Sequence, residues 1–141
     1  MKLSVLTEVD LPDSLGSFQE AELKIKEAVL RSGLELMELL FVGKEEQFLG
    51  RKGLWMKDRR VKRYQTLLGE LSFSRLRLWN PVHQVSSYPL DEWLGLKSKE
   101  KVTCGLKQAI VQAAIDRSYR QASSEISRWT GIDREDILGK L

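Results

Sequence analysis

Val61-Lys62-Arg63-Tyr64-Gln65-Thr66-Leu67-Leu68-Gly69-Glu70-Leu71-Ser72-Phe73-Ser74-Arg75-Leu76-Arg77-Leu78-Trp79 is the stretch that sets the fold class. Apolar residues stand at 71 and 73 and then at 76 and 78, with serine and arginine between them. Such period-two alternation marks a half-buried strand. The slip near Ser74-Arg75 predicts a bulge. Residues 61–68 read as the preceding strand and Leu67-Leu68-Gly69-Glu70 as the turn, so a β-hairpin is expected. Strand side chains alternate between faces, which puts Arg75 and Arg77 together, away from Leu76 and Leu78. With the basic residues upstream they predict one basic surface on a β-ribbon. Asn80-Pro81 ends the second strand, and residues 83–87 read as polar loop.

Helical patterns flank the hairpin. Ser14 or Ser17 can open a helix whose apolar face includes Phe18, Ala21, Ile25, Ala28, Val29, Leu36 and Leu40. Gly33 predicts a bend or a break into two helices, and Gly43 predicts the end of the second piece. Residues 44–63 read as a polar connector, partly helical at most. Tyr88-Pro89-Leu90-Asp91-Glu92-Trp93-Leu94-Gly95-Leu96 reads as a short strand and a turn of helix. Thr103 can cap a helix carrying Leu106, Ile110, Val111 and Ala114. Ser118 can cap another carrying Ala122, Ile126 and Trp129, which Gly131 terminates. Asp133 can cap a last one from Arg134 to Lys140. The second and third have the proportions of a helix-turn-helix, and the first completes a trihelical unit. The fold class is therefore α+β: an acidic helical arm over 1–50, a basic connector and hairpin over 51–96, and a helix-turn-helix-like cluster over 97–141.

The 141 residues suit one domain and are long enough for a core. With 42% hydrophobic and 30% charged residues, wholesale disorder is excluded. A single cysteine, Cys104, excludes an intramolecular disulfide framework or cysteine-based zinc ribbon, and a reducing cytoplasm is the simplest compartment. No apolar run has the length of a membrane span, and Glu8 and Asp10 interrupt the N-terminus too early for a signal peptide. The net charge of +3 is unevenly divided, with −5 over residues 1–50 and +8 over 51–141. Residues 51–63 are the densest run: Arg51, Lys52, Lys57, Arg59, Arg60, Lys62 and Arg63 against Asp58 alone. Such density calls for a polyanion or an acidic partner, or else solvates a linker. Trp55 and Tyr64 flank the run and can stack on bases or anchor it to the core, the second being the commoner use. Trp79, Trp93 and Trp129 read as core. His83, the lone histidine, reads as structural or merely exposed, and Cys104 as a buried or inert thiol. Asp91-Glu92 and Asp133/Glu135/Asp136 are explained by capping and solvation. No enzyme, cofactor or metal site is expected.

Lys57-Asp58-Arg59-Arg60, the 66–75 segment with its Leu-Gly-Glu and Phe73-Ser74-Arg75, the 88–96 segment, Ser118-Tyr119-Arg120-Gln121-Ala122 and Trp129-Thr130-Gly131-Ile132 occur in an order and spacing that resembles a known family. It is the N-terminal region of ISLre2-type (UPF0236) bacterial transposases, with the ISKra4-type as second choice. The resemblance implies a DNA-recognition region that a catalytic domain with three carboxylates and divalent metal would follow. It covers the recognition region only, so no DNA-cutting activity is carried over. Where ISKra4-type proteins have cysteine pairs, this chain has Asn80-Pro81-Val82-His83-Gln84, and no zinc is implied. The acidic Asp133-Arg134-Glu135-Asp136 suits a helix start but would repel phosphate.

The reading that follows is a transposase-like, double-stranded-DNA-binding domain acting in the cytoplasm, at the nucleoid when bound. The residues expected to grip DNA are Arg51, Lys52, Lys57, Arg59, Arg60, Lys62, Arg63, Arg75, Arg77, Arg117, Arg120, Arg128 and Arg134. The alternative is a protein-interaction or regulatory module, in which residues 17–42 form a homodimer or pair with a full-length relative. RNA binding by the ribbon is a weaker option.

Overall fold

The computed structural model describes residues 1–14, 16–51, 53–116 and 119–139. Its elements are α1 (Phe18–Leu49), β1 (Trp55–Thr66), β2 (Gly69–Asn80), β3 (Val85–Ser87), α2 (Pro89–Leu94), α3 (Cys104–Asp116), α4 (Tyr119–Thr130) and α5 (Arg134–Leu138). The three strands form one antiparallel sheet in the order β1-β2-β3. The α+β architecture agrees with the sequence reading: an N-terminal helix, a central hairpin and a C-terminal helical cluster.

Ser17 caps α1 by accepting the Glu20 N–H at 3.3 Å. The helix then runs unbroken to Leu49, through both Gly33 and Gly43. These glycines mark close approaches, not breaks. A Cβ on Gly33 would lie 2.5 Å from Leu68 Cδ1 at the hairpin turn, and one on Gly43 would lie 2.8 Å from the Met1 methyl. Gly33 thus lets the helix axis come down onto the turn.

The hairpin is longer than expected. The basic run is not a connector, because β1 begins at Trp55 and pairs with β2 through to Thr66↔Gly69. The register runs without a break past Ser74 and Arg75, and the irregularity lies on the other strand, between Met56 and Asp58. The apolar slip in β2 instead marks where the strand, covered on one face up to Phe73, becomes covered on both. Leu71 and Phe73 are buried on one side, Leu76 and Leu78 on the other. Val85–Ser87, read as loop, adds to β2 as a third strand.

Two cores result. Phe41, Tyr64, Leu71, Phe73, Leu90 and Leu96 bury one sheet face under α1 and α2, and Phe41 meets Tyr64 and Phe73 edge-on. Val102, Leu106, Ile110, Ile126, Ile132 and Ile137 join α3, α4 and α5. Trp93 and Trp129, expected in the core, are exposed, as is Cys104. The hairpin turn connects the two cores. Gly69, at φ 133°, packs so near the Thr130 carbonyl that a Cβ there would sit 3.0 Å away. Lys26 Nζ also donates to the Arg128 carbonyl at 2.8 Å, fastening α1 to α4.

Candidate nucleic-acid interface

Arg120, Ser124 and Arg128 recur every four residues on α4, a spacing that stacks side chains along one helix face. The turn after α4 is built locally. Thr130 Oγ1 donates to the Ile126 carbonyl at 2.8 Å and accepts the Ile132 N–H at 3.2 Å. Ser127 Oγ donates to the Ile132 carbonyl at 2.6 Å. Gly131 takes φ 75°, which glycine adopts without strain. Asp133 then caps α5 by accepting the Glu135 N–H at 2.8 Å. This geometry starts α5 at Arg134, and Ile137 of α5 packs with Ile126 of α4. Arg120, Gln121, Ser124, Arg128 and Arg134 line an open groove of about 550 Å³. Among the described residues, none of these three arginines is in an ion pair.

The hairpin cations are placed differently. Lys62, Arg75 and Tyr64 converge on Asp91, from the first turn of α2. Lys62 Nζ lies 2.9 Å from Oδ2, Arg75 Nη1 bonds the same oxygen, and the Tyr64 hydroxyl donates to Oδ1 at 2.6 Å. The side chains of Lys62 and Arg75 are only 10% and 12% exposed. The Arg75 guanidinium lies 3.5 Å from the Tyr88 ring centroid. Burial, then the Asp91 bond, pushes the Tyr64 phenol above its usual range, so it remains a donor. Arg77 makes a two-pronged contact with Asp58, 2.7 Å at Nε, and this holds the Asp58 carboxyl below its usual range. Arg59 bonds Glu45 at 2.9 Å and the Ser74 carbonyl at 2.8 Å, while buried Glu45 also accepts the Leu76 N–H. The Arg75/Arg77 face is therefore not an open basic surface. The 88–94 segment covers Arg75: Tyr88 stacks on its guanidinium, and Asp91 supplies the interior carboxylate that offsets it and Lys62.

The remaining predicted residues that the structure describes on the hairpin are exposed. Arg51 lies over the Phe48 ring and Lys57 over Trp79, each 4.8 Å from the ring centroid. Arg60 makes a loose 3.4 Å contact to Asp58, and Arg63 points to solvent. Lys52 and Arg117 lie outside the described residues, as does Ser118. Sequence reasoning missed Asp91 and Glu45 as internal counterions. It also missed a cavity of about 580 Å³ lined by Lys97, Lys99, Lys101, Lys107, Glu100 and an apolar floor of Val102, Ile110 and Val111. The alternating lysines of residues 97–101 were its visible signal. Among the described residues no cluster could hold a metal ion, and no helix is long and apolar enough to cross a membrane.

Fold and site together define an α+β domain with an arginine-lined groove between two helices joined by a tight turn. The sequence matches the family described as "Uncharacterised protein family (UPF0236)" over residues 14–137, and the chain belongs to that family. No curated protein matches it.

Proposed function

We propose that this protein is a double-stranded-DNA-binding domain of transposase type, and that α4, the Gly131 turn and α5 act as a helix-turn-helix. The convergence of Arg120, Arg128 and Arg134 on one groove is the observation that carries the reading. Guanidinium groups around an open groove suit phosphate oxygens, and each neutralised phosphate releases counterions. Exposed Arg51, Lys57, Arg60 and Arg63 extend the phosphate-binding set, while Lys62, Arg75 and Arg77 build the scaffold. Arg134 is the candidate base reader, because exposed Glu135 and Asp136 oppose phosphate. The resemblance to ISLre2-type transposases supports the same role. The test is duplex-DNA binding at several salt concentrations. Replacing Arg120, Arg128 and Arg134 by Ala should lower the salt slope by about one for each phosphate no longer neutralised. An unchanged slope would remove the groove from the interface.

A second reading is a protein-interaction module working through residues 17–42. It is favoured by the exposure of Phe18, Leu23, Ile25, Val29, Leu39 and Val42 along α1. Ile25→Glu with Val29→Glu should lower the solution mass of any assembly made this way, and a mass unaffected by the pair would exclude α1.

A further inference from the structure

Strand β1 lies at the edge of the sheet, and its outer side is already used as a pairing edge at one end. The Gln65 N–H donates to the Lys101 carbonyl at 2.8 Å, and the Thr103 N–H donates to the Gln65 carbonyl at 3.0 Å, forming a parallel bridge to Val102. Backbone groups of a strand alternate in direction with period two. Arg59, Val61 and Arg63 therefore aim their N–H and C=O groups the same way as Gln65. Among the described residues those groups have no partner. An unpaired edge of this length is a template for another strand. Its own side chains select which strand. A second β1 would bring arginine and lysine against arginine and lysine, whereas an acidic extended segment is complementary.

The chain contains one such segment. Val5-Leu6-Thr7-Glu8-Val9-Asp10-Leu11 alternates acidic and apolar residues from Glu8 to Leu11, lies outside any helix or strand, and makes no backbone hydrogen bond among the described residues. Leu6 is 83% exposed. The segment rests on α1 through side chains, with the Thr7 hydroxyl bonded to Ser32 and Met1 against Gly43. Ser32, Leu36, Leu39 and Gly43 share one helix face at the helical period. Leu34, Met37, Phe41, Glu45 and Phe48, which face the sheet core or are buried, lie on the opposite face. The helix thus stands between the segment and the sheet of its own chain. Arg59 abuts Glu45, about 20 Å along the helix from Ser32, where Thr7 is held, at about 1.5 Å per residue.

We infer that residues 5–11 of one copy add as a strand to the Arg59–Arg63 edge of a second copy, giving a reciprocal strand-exchanged dimer. This interface is separate from the α4–α5 groove and from Ile25 and Val29 of α1. Glu8 and Asp10 come against the cations of β1, and the backbone rows supply the hydrogen bonds.

The test uses the full chain by sedimentation, with a labelled peptide of residues 3–13 as a direct probe of a chain lacking 1–13. The full chain should sediment as a dimer. Glu8→Lys with Asp10→Lys should weaken association about tenfold or more, and adding Arg63→Glu should recover part of it. The peptide should bind the shortened chain, and Val61→Pro, which removes an outward N–H at an exposed edge position, should abolish that binding. Circular dichroism identifies variants that fail to fold, and the Glu8/Asp10 pair, remote from both cores, keeps the test decisive if Val61→Pro is one of them. A monomeric full chain, a dimer indifferent to Glu8 and Asp10 but lost in the Ile25/Val29 variant, or a peptide that does not bind would each overturn the inference. DNA binding is measured separately, so failure there leaves this result standing.

Discussion

Arg75 and Arg128 carry the same guanidinium group in opposite settings. Arg75 lies inside the domain, stacked on Tyr88 and bonded to Asp91, and is joined there by Lys62. Arg128 stands on the rim of an open groove with Arg120 and Arg134. The first set is matched by carboxylates of its own chain: Asp91, Asp58 and Glu45. The second set is not so matched among the described residues. A basic sequence therefore contains two populations of cation, and charge density alone does not separate them. The densest run, residues 51–63, is partly scaffold, whereas the sparser arginines of α4 and α5 converge.

This contrast can be broken at Asp91. Asp91→Ala strands Lys62 and Arg75 in the interior and should cost about 3–5 kcal/mol in urea denaturation, because a buried charge left unpaired is strongly destabilising. A loss below about 1 kcal/mol would mean that the two cations escape to solvent easily. The join between the cores comes next. Gly69→Ala combines an unfavourable φ with a close Thr130 carbonyl and should cost about 1–3 kcal/mol, seen as a lower thermal midpoint. The groove arginines reverse the ranking. Their triple alanine variant should hold its stability within about 0.5 kcal/mol while the salt slope of DNA binding falls. A triple variant that unfolds instead would make those arginines scaffold too.

The smallest effect concerns acid. Arg77 lowers the Asp58 pKa in the folded chain, so this pair's contribution is present above the ordinary aspartate range. It is lost as pH falls through the depressed value. Urea midpoints followed from pH 5 downward should decline less steeply in Arg77→Gln than in the parent chain. Identical profiles would mean that the pair contributes nothing to the acid limb.

Much of the fold could be read from local pattern. The alternation of residues 71–78 predicted the hairpin, Asp133 and one of the two serines offered, Ser17, marked helix starts, and Gly131 predicted the end of α4. The glycine rule misled at Gly33 and Gly43, because a missing Cβ can serve close packing as well as chain breaking. The predicted bulge at Ser74-Arg75 misled for a related reason. A shift of apolar phase looks the same whether the strand bulges or a second covering layer begins on its other face. Of the candidate site, the three groove arginines were named from sequence, but nothing in their spacing required that Arg134 would meet Arg120 and Arg128. Asp91 and Glu45 were missed because a buried counterion depends on partners distant along the chain.

The sequence by itself determined the class of most segments, the charge asymmetry and the family, since these depend on neighbours a few residues apart. Only the tertiary structure decided which cations face inward and which edge of the sheet stays open. Both depend on desolvation, and a side chain or backbone group loses water only when another part of the chain folds over it.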